Sequence, residues 1–273
     1  MKCSDEEREY LRKLVQAHSA NVMDPSRDYF LESRLQGVAN QVGVRSIRDL
    51  IALLRLRPEN NLHRMVVEAM TINETSFFRD TAPFSLMEHK IIPKLVQARR
   101  SQRRLRFWSA ACASGQEAYS LAILLMKCFP ELADWDVRIF GTDLSQAMVE
   151  RARSGNYSSL EVARGLPSEL LERYTMHQGH GWTMLPEIRS LCSFVRLNLC
   201  APMPLLPVFD GILLRNVMLY ISTEDRVRLL RTMHRQLADD GFLLLGCSEQ
   251  MPEGLDLFDT HLEDGACFYT PRH

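Results

Sequence analysis

Five short runs in the second part of the chain are almost continuously apolar: LRFWS from Leu105, DVRIFGTD from Asp136, CSFVRLNL from Cys192, FDGILLRN from Phe209 and GFLLLGCS from Gly241. Between them lie segments of helical period, among them QEAYSLAILLMKCF, SQAMVERARSG and TEDRVRLLRTMHRQLADD. A strand apolar on both faces needs cover on both faces, and helices alternating with such strands supply it. From Leu105 onward the chain is therefore expected to form a doubly wound α/β sheet. Gly241 is expected to end the last helix, and ACFYTP to return as an antiparallel strand at the sheet edge.

The first part reads as helices only. DEEREYLRKLVQAHSA places Leu11, Leu14 and Val15 on one face, and YFLESRLQGVANQVGV continues the pattern to Gly43. Ser46 caps SIRDLIALLRL, and Pro58 is expected to open PENNLHRMVVEAM. Next comes INETSFFRD, residues 72–80, which gathers Asn, Thr and Arg around two phenylalanines with no glycine or proline. FSLMEHKIIPKLVQARRSQRR then reads as a connecting helix. It runs into a basic stretch with Lys94, Arg99, Arg100, Arg103, Arg104 and Arg106, either a solvated linker or a docking patch for an acidic surface. The expected domains are a helical one at 1–72, a linker at 73–104 and an α/β domain at 105–273. An insertion at about 160–193 holds a helix and a small antiparallel element.

Composition narrows the function classes. The 273 residues carry a formal net charge of −1, which gives no overall basic signature of nucleic-acid binding. MKCSDEEREY lacks the apolar core of a secretory signal, and no apolar run approaches the ~18 residues that span a bilayer. A cytoplasmic protein, monomeric and without membrane insertion, is expected. The seven cysteines form no CxxC pair, and no nearby Cys or carboxylate completes a ligand set with His177 and His180, so no metal is expected.

Open α/β sheets bind ligands beyond the carboxyl ends of their strands. Polar residues follow these ends here: the loop AACASGQE with Glu117, then Asp143, Asn198, and Arg215 with Asn216. The first loop is small-residued but lacks the GxGxxG of dinucleotide sites. Glu117 at the helix start would repel a pyrophosphate and suit an ammonium group, which favours S-adenosylmethionine. It could equally be a first-turn acid complementing the helix dipole. Asp143 could take both hydroxyls of a ribose, or cap SQAMVERA. Asn198 and Leu199 could frame an adenine.

These segments together resemble the chemotaxis receptor methyltransferase family, CheR. INETSFFRD is similar to its signature, FWSAACASGQEAYSLAI to its first cofactor loop, GTDLS to its ribose loop and LLRNVMLYIS to its fourth-strand motif; GCSE near Cys247 fits as well. The resemblance spans nearly the whole chain. It implies a Rossmann-like S-adenosylmethionine-dependent methyltransferase sheet with a small all-α N-terminal domain. It implies that Asn73, Thr75 and Arg79 close over the cofactor, that Glu117, Asp143, Asn198, Leu199, Arg215 and Asn216 hold it, and that Tyr220 faces the transfer site. Arg79 and Tyr220 are then the catalytic candidates, with a structural salt bridge and core packing as their plainer readings.

The implied reaction forms glutamyl methyl esters on chemoreceptors, with S-adenosylhomocysteine as product. A glutamate of reference pKa about 4.3 is ionised at neutral pH, so alignment rather than a base is required. Two departures bear on the partner. ESRLQGVANQVG keeps Arg34 but is otherwise nearly neutral where relatives carry a basic stripe; Arg45, Arg48, Arg55 and Arg57 are the candidates to replace it. The insertion is shorter than the form that grips a receptor's C-terminal peptide, so a tether-independent enzyme acting on the receptor's cytoplasmic helical region is expected. The competing readings are a methyltransferase on RNA, a small molecule or another acceptor, and a non-catalytic signalling adaptor. The adaptor would be expected to have lost Glu117, Asp143 or Arg79.

Overall fold

A computed structural model describes residues 3–25, 28–56 and 58–272. The chain divides into two compact units, Met1–Ile72 with Tyr220–Arg226, and Asn73–Leu219 with Val227–His273.

The first unit is built on α1 (Asp5–Ser19), α2 (Tyr29–Gln41), α3 (Ile47–Leu56) and α4 (Asn61–Ala69). Ser4 Oγ accepts the Glu7 N–H while the Glu7 carboxylate accepts the Ser4 N–H, a reciprocal cap that starts α1. Leu11, Leu14 and Val15 are buried with Leu35, Leu50, Leu54 and Val66. Ser46 caps α3 as expected, accepting the Asp49 N–H at 3.1 Å. The start of α4 corrects the reading: the helix opens at Asn61 rather than Pro58, and Asn60 caps it, its Oδ1 accepting the Leu62 N–H at 2.8 Å. A side-chain acceptor satisfies an orphan helix donor, which a proline ring cannot do.

The arginines of α3 are partly engaged within this unit. Arg48 pairs with Glu7 at 3.0 Å, and Arg55 pairs with Glu6 at 3.1 Å while stacking over Tyr10. Arg45 is exposed, and Arg57 lies outside the described residues. Arg34 donates to the Thr71 carbonyl at 2.8 Å.

The second unit begins with the irregular stretch at 73–80. A helical rod follows, made of α5 (Thr81–Leu86), a π-helical turn at Met87–Ile91 and α6 (Ile92–Ala98). Its other helices are α7 (Gln116–Cys128), α8 (Gln146–Ser154), α9 (Ser159–Ala163), α10 (Ser168–Tyr174), α11 (Pro186–Leu191) and the bulk of α12 (Thr223–Gln236). Its strands are β1 (Arg104–Ala110), β2 (Asp136–Asp143), β3 (Asn156–Ser158), β4 (Thr175–Gln178), β5 (Gly181–Met184), β6 (Cys192–Arg196), β7 (Phe209–Leu214), β8 (Leu237–Leu245), β9 (Phe258–Glu263) and β10 (Ala266–Pro271).

Seven strands form one sheet in the order β6-β2-β1-β7-β8-β10-β9. Those from β6 to β8 are parallel, while β10 runs antiparallel to both neighbours. All six residues of β7 are buried, as a central strand covered on both faces requires. The order reverses between β1 and β7, so the switch point lies at their carboxyl ends. The insertion forms a separate antiparallel sheet, β3-β5-β4. No helix among the described residues is long and apolar enough to cross a membrane.

Two edge assignments change. ACFYTP is β10, but it pairs on both sides; the edge strand is β9, FDTHLE. The last helix ends at Gln236, and Gly241 lies inside β8. A Cβ at Gly241 would come within 2.9 Å of the Ala238 carbonyl oxygen and 3.1 Å of that of Asp210, so close backbone approach explains the glycine.

The basic stretch is stitched to its own unit. Arg99, 12% exposed at its side chain, donates to Asp210 at 2.7 Å and to both oxygens of Asp240. Arg103 reaches Asp134 at 3.2 Å and Arg106 reaches Asp136 at 3.0 Å. These arginines are neither a wholly solvated linker nor a fully open docking patch.

Candidate active site at the sheet switch point

The loop after β1 is strained where a ligand would approach. Ala111 has φ 59° and Ala113 φ 47°, left-handed values that only glycine takes without cost, and Gly115 has φ 93°. Hydrogen bonds from neighbouring β2 hold the loop. Cys112 N–H donates to the Thr142 carbonyl at 2.8 Å, and Ala113 N–H donates to Asp143 Oδ2 at 2.9 Å.

Asp143 is buried, and its Oδ1 accepts the Ser145 N–H at 2.9 Å. It is not the cap of α8. Ser145 has that role, accepting the Met148 N–H. Backbone amides on both sides, Ala113 and Ser145, thus fix the orientation of the Asp143 carboxylate at the end of β2. The Asp143 carbonyl also accepts the Leu197 N–H at 2.9 Å, joining the ends of β2 and β6. Asn198 and Leu199 follow directly and are half-buried, with Asn198 Oδ1 accepting the Cys200 N–H at 3.0 Å.

On the other side of the switch point, Glu117 accepts from Ser109 Oγ at 2.7 Å and from Arg215 Nη1 at 3.1 Å. Burial pushes its carboxyl above the usual carboxylate range, against the opposing pull of Arg215 and the Ser109 hydroxyl. Arg215 also donates through Nη2 to the Arg79 carbonyl at 2.6 Å and to Asp80 at 3.0 Å. One guanidinium therefore ties the signature segment to the first helix of the sheet.

The signature is anchored by its phenylalanines. Phe77 is buried edge-on to Tyr157 at 5.0 Å, and Phe78 packs edge-on to Phe84 at 5.1 Å. Phe78 N–H donates to Ser120 Oγ at 2.9 Å, and Arg79 Nη1 donates to the Glu74 carbonyl at 3.2 Å. Asn73 and Thr75 are half-buried on the same segment. Tyr220 belongs to the helical unit, where its carbonyl accepts the Val22 N–H at 2.7 Å. His177, of the HxxH pair, packs edge-on to Trp182 at 5.0 Å.

Two buried polar atoms at the end of β7 have no hydrogen-bond partner among the described residues: Nε of Arg215 and Oδ1 of Asn216. A free cationic donor, a free acceptor and the half-buried carboxylate of Glu117 complement the carboxylate and ammonium of an amino-acid moiety. Asp143 at the end of β2 supplies the acid that a ribose needs. The residue set fits S-adenosylmethionine.

The profile of the CheR methyltransferase SAM-binding domain matches residues 73–264. The chain belongs to the CheR methyltransferase family. It is 37% identical over 255 residues to chemotaxis protein methyltransferase 1 of Pseudomonas aeruginosa, covering 92% of each chain. It is 36% identical over 247 residues to chemotaxis protein methyltransferase Cher2 of Pseudomonas putida, covering 89% of this chain and 90% of that one. A chemotaxis protein methyltransferase of Vibrio parahaemolyticus is 33% identical over 260 residues, covering 94% and 93%. In this CheR-family chain the matched region begins at Asn73, the first residue of the α/β unit.

Three residues of the site escaped sequence reasoning. Ser109 is a buried strand residue, Asp80 stands at the end of the signature, and Glu249 closes GCSE. Asp80 carried one signal, its place beside Arg79 in an otherwise polar motif. Ser109 carried none.

Proposed function

We propose that this CheR-family methyltransferase esterifies glutamate side chains on the cytoplasmic helical region of chemoreceptors. The observation that carries the reading is the strand-end cluster of Glu117, Asp143, Arg215 and Asn216 in a chain of this family. Residues 1–72 form the helical domain, 73–104 the linker with the cofactor-covering motif, and 105–273 the catalytic domain with its insertion at about 160–193. The protein works in the cytoplasm as a monomer, needs no metal, and does not depend on a receptor tail peptide.

S-adenosylmethionine supplies an electrophilic methyl group when bound. Glu117 would hold its ammonium, Asp143 its ribose hydroxyls, and Asn198 with Leu199 its adenine, while Arg215, Asn216, Asn73 and Thr75 complete the enclosure. The chain needs no general base, because an acceptor carboxylate is already ionised at neutral pH. Its task is alignment, worth several kcal/mol when an acceptor is held in line. Arg79 orients a carboxylate through its planar fork of N–H donors. Tyr220 is the second catalytic candidate, on the family resemblance of its NVMLYIS motif. The signature segment excludes water, which leaves the acceptor carboxylate less solvated and more nucleophilic.

Calorimetric titration with S-adenosylhomocysteine tests the cofactor assignment. Micromolar-range binding by the wild type, sharply weakened in Asp143→Ala, is expected. Folded wild-type protein that binds nothing would overturn it and favour an adaptor.

A further inference from the structure

The backbone that carries Asn216 is held from behind by a carboxylate far along the chain. Glu249, 7% exposed, accepts four backbone N–H groups. Its Oε2 accepts from Asn216 and from Gly246, each at 2.7 Å. Its Oε1 accepts from Val217 at 2.7 Å and from Met218 at 2.6 Å. A carboxylate offers about four lone-pair sites, so this one is filled. It has no capacity left for a ligand or a metal.

What the four bonds hold is a left-handed turn. Asn216 has φ 60°, a region that asparagine enters more readily than other non-glycine residues but that the chain adopts here at one defined position. Gly246 makes the arrangement possible. A Cβ there would lie 2.7 Å from Glu249 Oε2, 2.8 Å from Asn216 Nδ2 and 2.9 Å from Asn216 N. The glycine, the glutamate and the asparagine therefore form one clasp between the ends of β7 and β8. Asn216 Nδ2 faces Gly246, and its Oδ1 is the buried acceptor without a partner.

We propose that Glu249 is a positioning residue of the cofactor site. Its carboxylate fixes the Asn216–Met218 backbone in the conformation that presents Asn216 Oδ1 to the ligand. The proposal rests on the reading of the β7 end as part of the cofactor site. Glu249 acts through Asn216 and touches no ligand itself, which separates it from Glu117 and Asp143. A glutamine in its place keeps the shape but has one carbonyl oxygen for four donors, and it turns an NH2 group toward backbone N–H groups.

The test is a double-mutant cycle read by calorimetry with S-adenosylhomocysteine on wild type, Glu249→Gln, Asn216→Ala and the double variant, with urea unfolding measured on each. Glu249→Gln is expected to weaken binding about tenfold or more, as outer-shell supports commonly do. In the Asn216→Ala background the same change is expected to weaken it less than about threefold further, because the two losses are one loss. Glu249→Asp, which keeps the charge but shortens the reach, is expected to bind with intermediate affinity and carries the comparison if Glu249→Gln fails to fold. Wild-type affinity in a destabilised Glu249 variant would overturn the proposal, since that is the signature of a purely structural clasp. Losses that multiply in the double variant would overturn it too. A folded wild type that binds no S-adenosylhomocysteine would remove the cofactor reading and this proposal with it; wild-type binding with independent losses removes the proposal alone.

Discussion

Arg215 and Glu117 form an ion pair 3.1 Å apart, with the guanidinium side chain 1% exposed and the carboxylate 13%. The same guanidinium pairs with Asp80 at 3.0 Å, so a single cation joins the signature segment to α7. The pair with Glu117 is shielded from water, whereas Asp80 is exposed and its pair is screened.

Removing the cation strands the shielded Glu117 carboxylate, while Asp80 turns to water. Arg215→Ala is expected to cost about 3–5 kcal/mol of stability, the usual result of breaking a buried pair from one side. Glu117→Gln leaves Arg215 with Asp80 and the Arg79 carbonyl, and should cost no more than about 1.5 kcal/mol, the net worth of a hydrogen bond. Its larger effect falls on S-adenosylhomocysteine affinity, which should drop about tenfold or more with the loss of a charged partner for the ammonium. Urea unfolding and calorimetry on the two variants separate these effects.

Glu117 also predicts a pH dependence of both folding and binding. Burial raises its folded pKa, so the folded state holds this proton more tightly than the unfolded chain does. Its contribution to stability is complete below the unfolded value, about 4.3, and is lost as pH rises through the folded value. Binding runs the other way, because an ammonium prefers the ionised carboxylate. Affinity for S-adenosylhomocysteine should fall as pH drops through the folded value, with protons released on binding. Calorimetry in two buffers of different ionisation heat measures that release, and Glu117→Gln should abolish it.

At the opposite end of β7, Arg99 secures Asp210 and Asp240. Asp210 is buried and also accepts the Arg106 N–H at 2.8 Å. Arg99→Ala should destabilise by about 3 kcal/mol or more, because it leaves Asp210 buried without its cation. Hydrogen bonding to Arg99 lowers the pKa of Asp240. That part of the stability is present above the unfolded value, about 3.9, and is lost as pH falls through the lower folded one. Cofactor affinity should stay unchanged, since none of these residues lies at the switch point.

Gly165, at φ 102°, sits where a Cβ would collide with the carbonyl oxygen of Phe77. The insertion and the signature thus meet backbone to backbone. Gly165→Ala should cost at least about 1–3 kcal/mol from strain alone. It should also loosen the segment at 73–80, read as faster amide exchange there than in β7.

The sheet was legible because its buried strands are apolar on both faces and are separated by clear helical periods. FDTHLE was not, since an edge strand with Asp259, Thr260 and Glu263 half-buried or exposed lacks the continuous apolar run of β7. Gly241 misled because a helix stop and a close strand approach both call for glycine. Asp143 could be picked out because it ends an apolar strand, and Glu117 because it opens the helix after the small-residue loop. The bonds from Glu249 to Asn216 and from Arg215 to Asp80 span 33 and 135 positions, and no local pattern encodes such pairings. The left-handed alanines at 111 and 113 were equally hidden, because alanine does not advertise a positive φ.

The central claim is tested most directly by the chemistry of the product. The full-length protein would be incubated with methyl-labelled S-adenosylmethionine and a chemoreceptor cytoplasmic fragment, beside the fragment with its candidate glutamates changed to alanine. Label that enters only the glutamate-bearing fragment and leaves as methanol under mild alkali is the predicted result. Alkali-stable label, or label unaffected by loss of the glutamates, would contradict it.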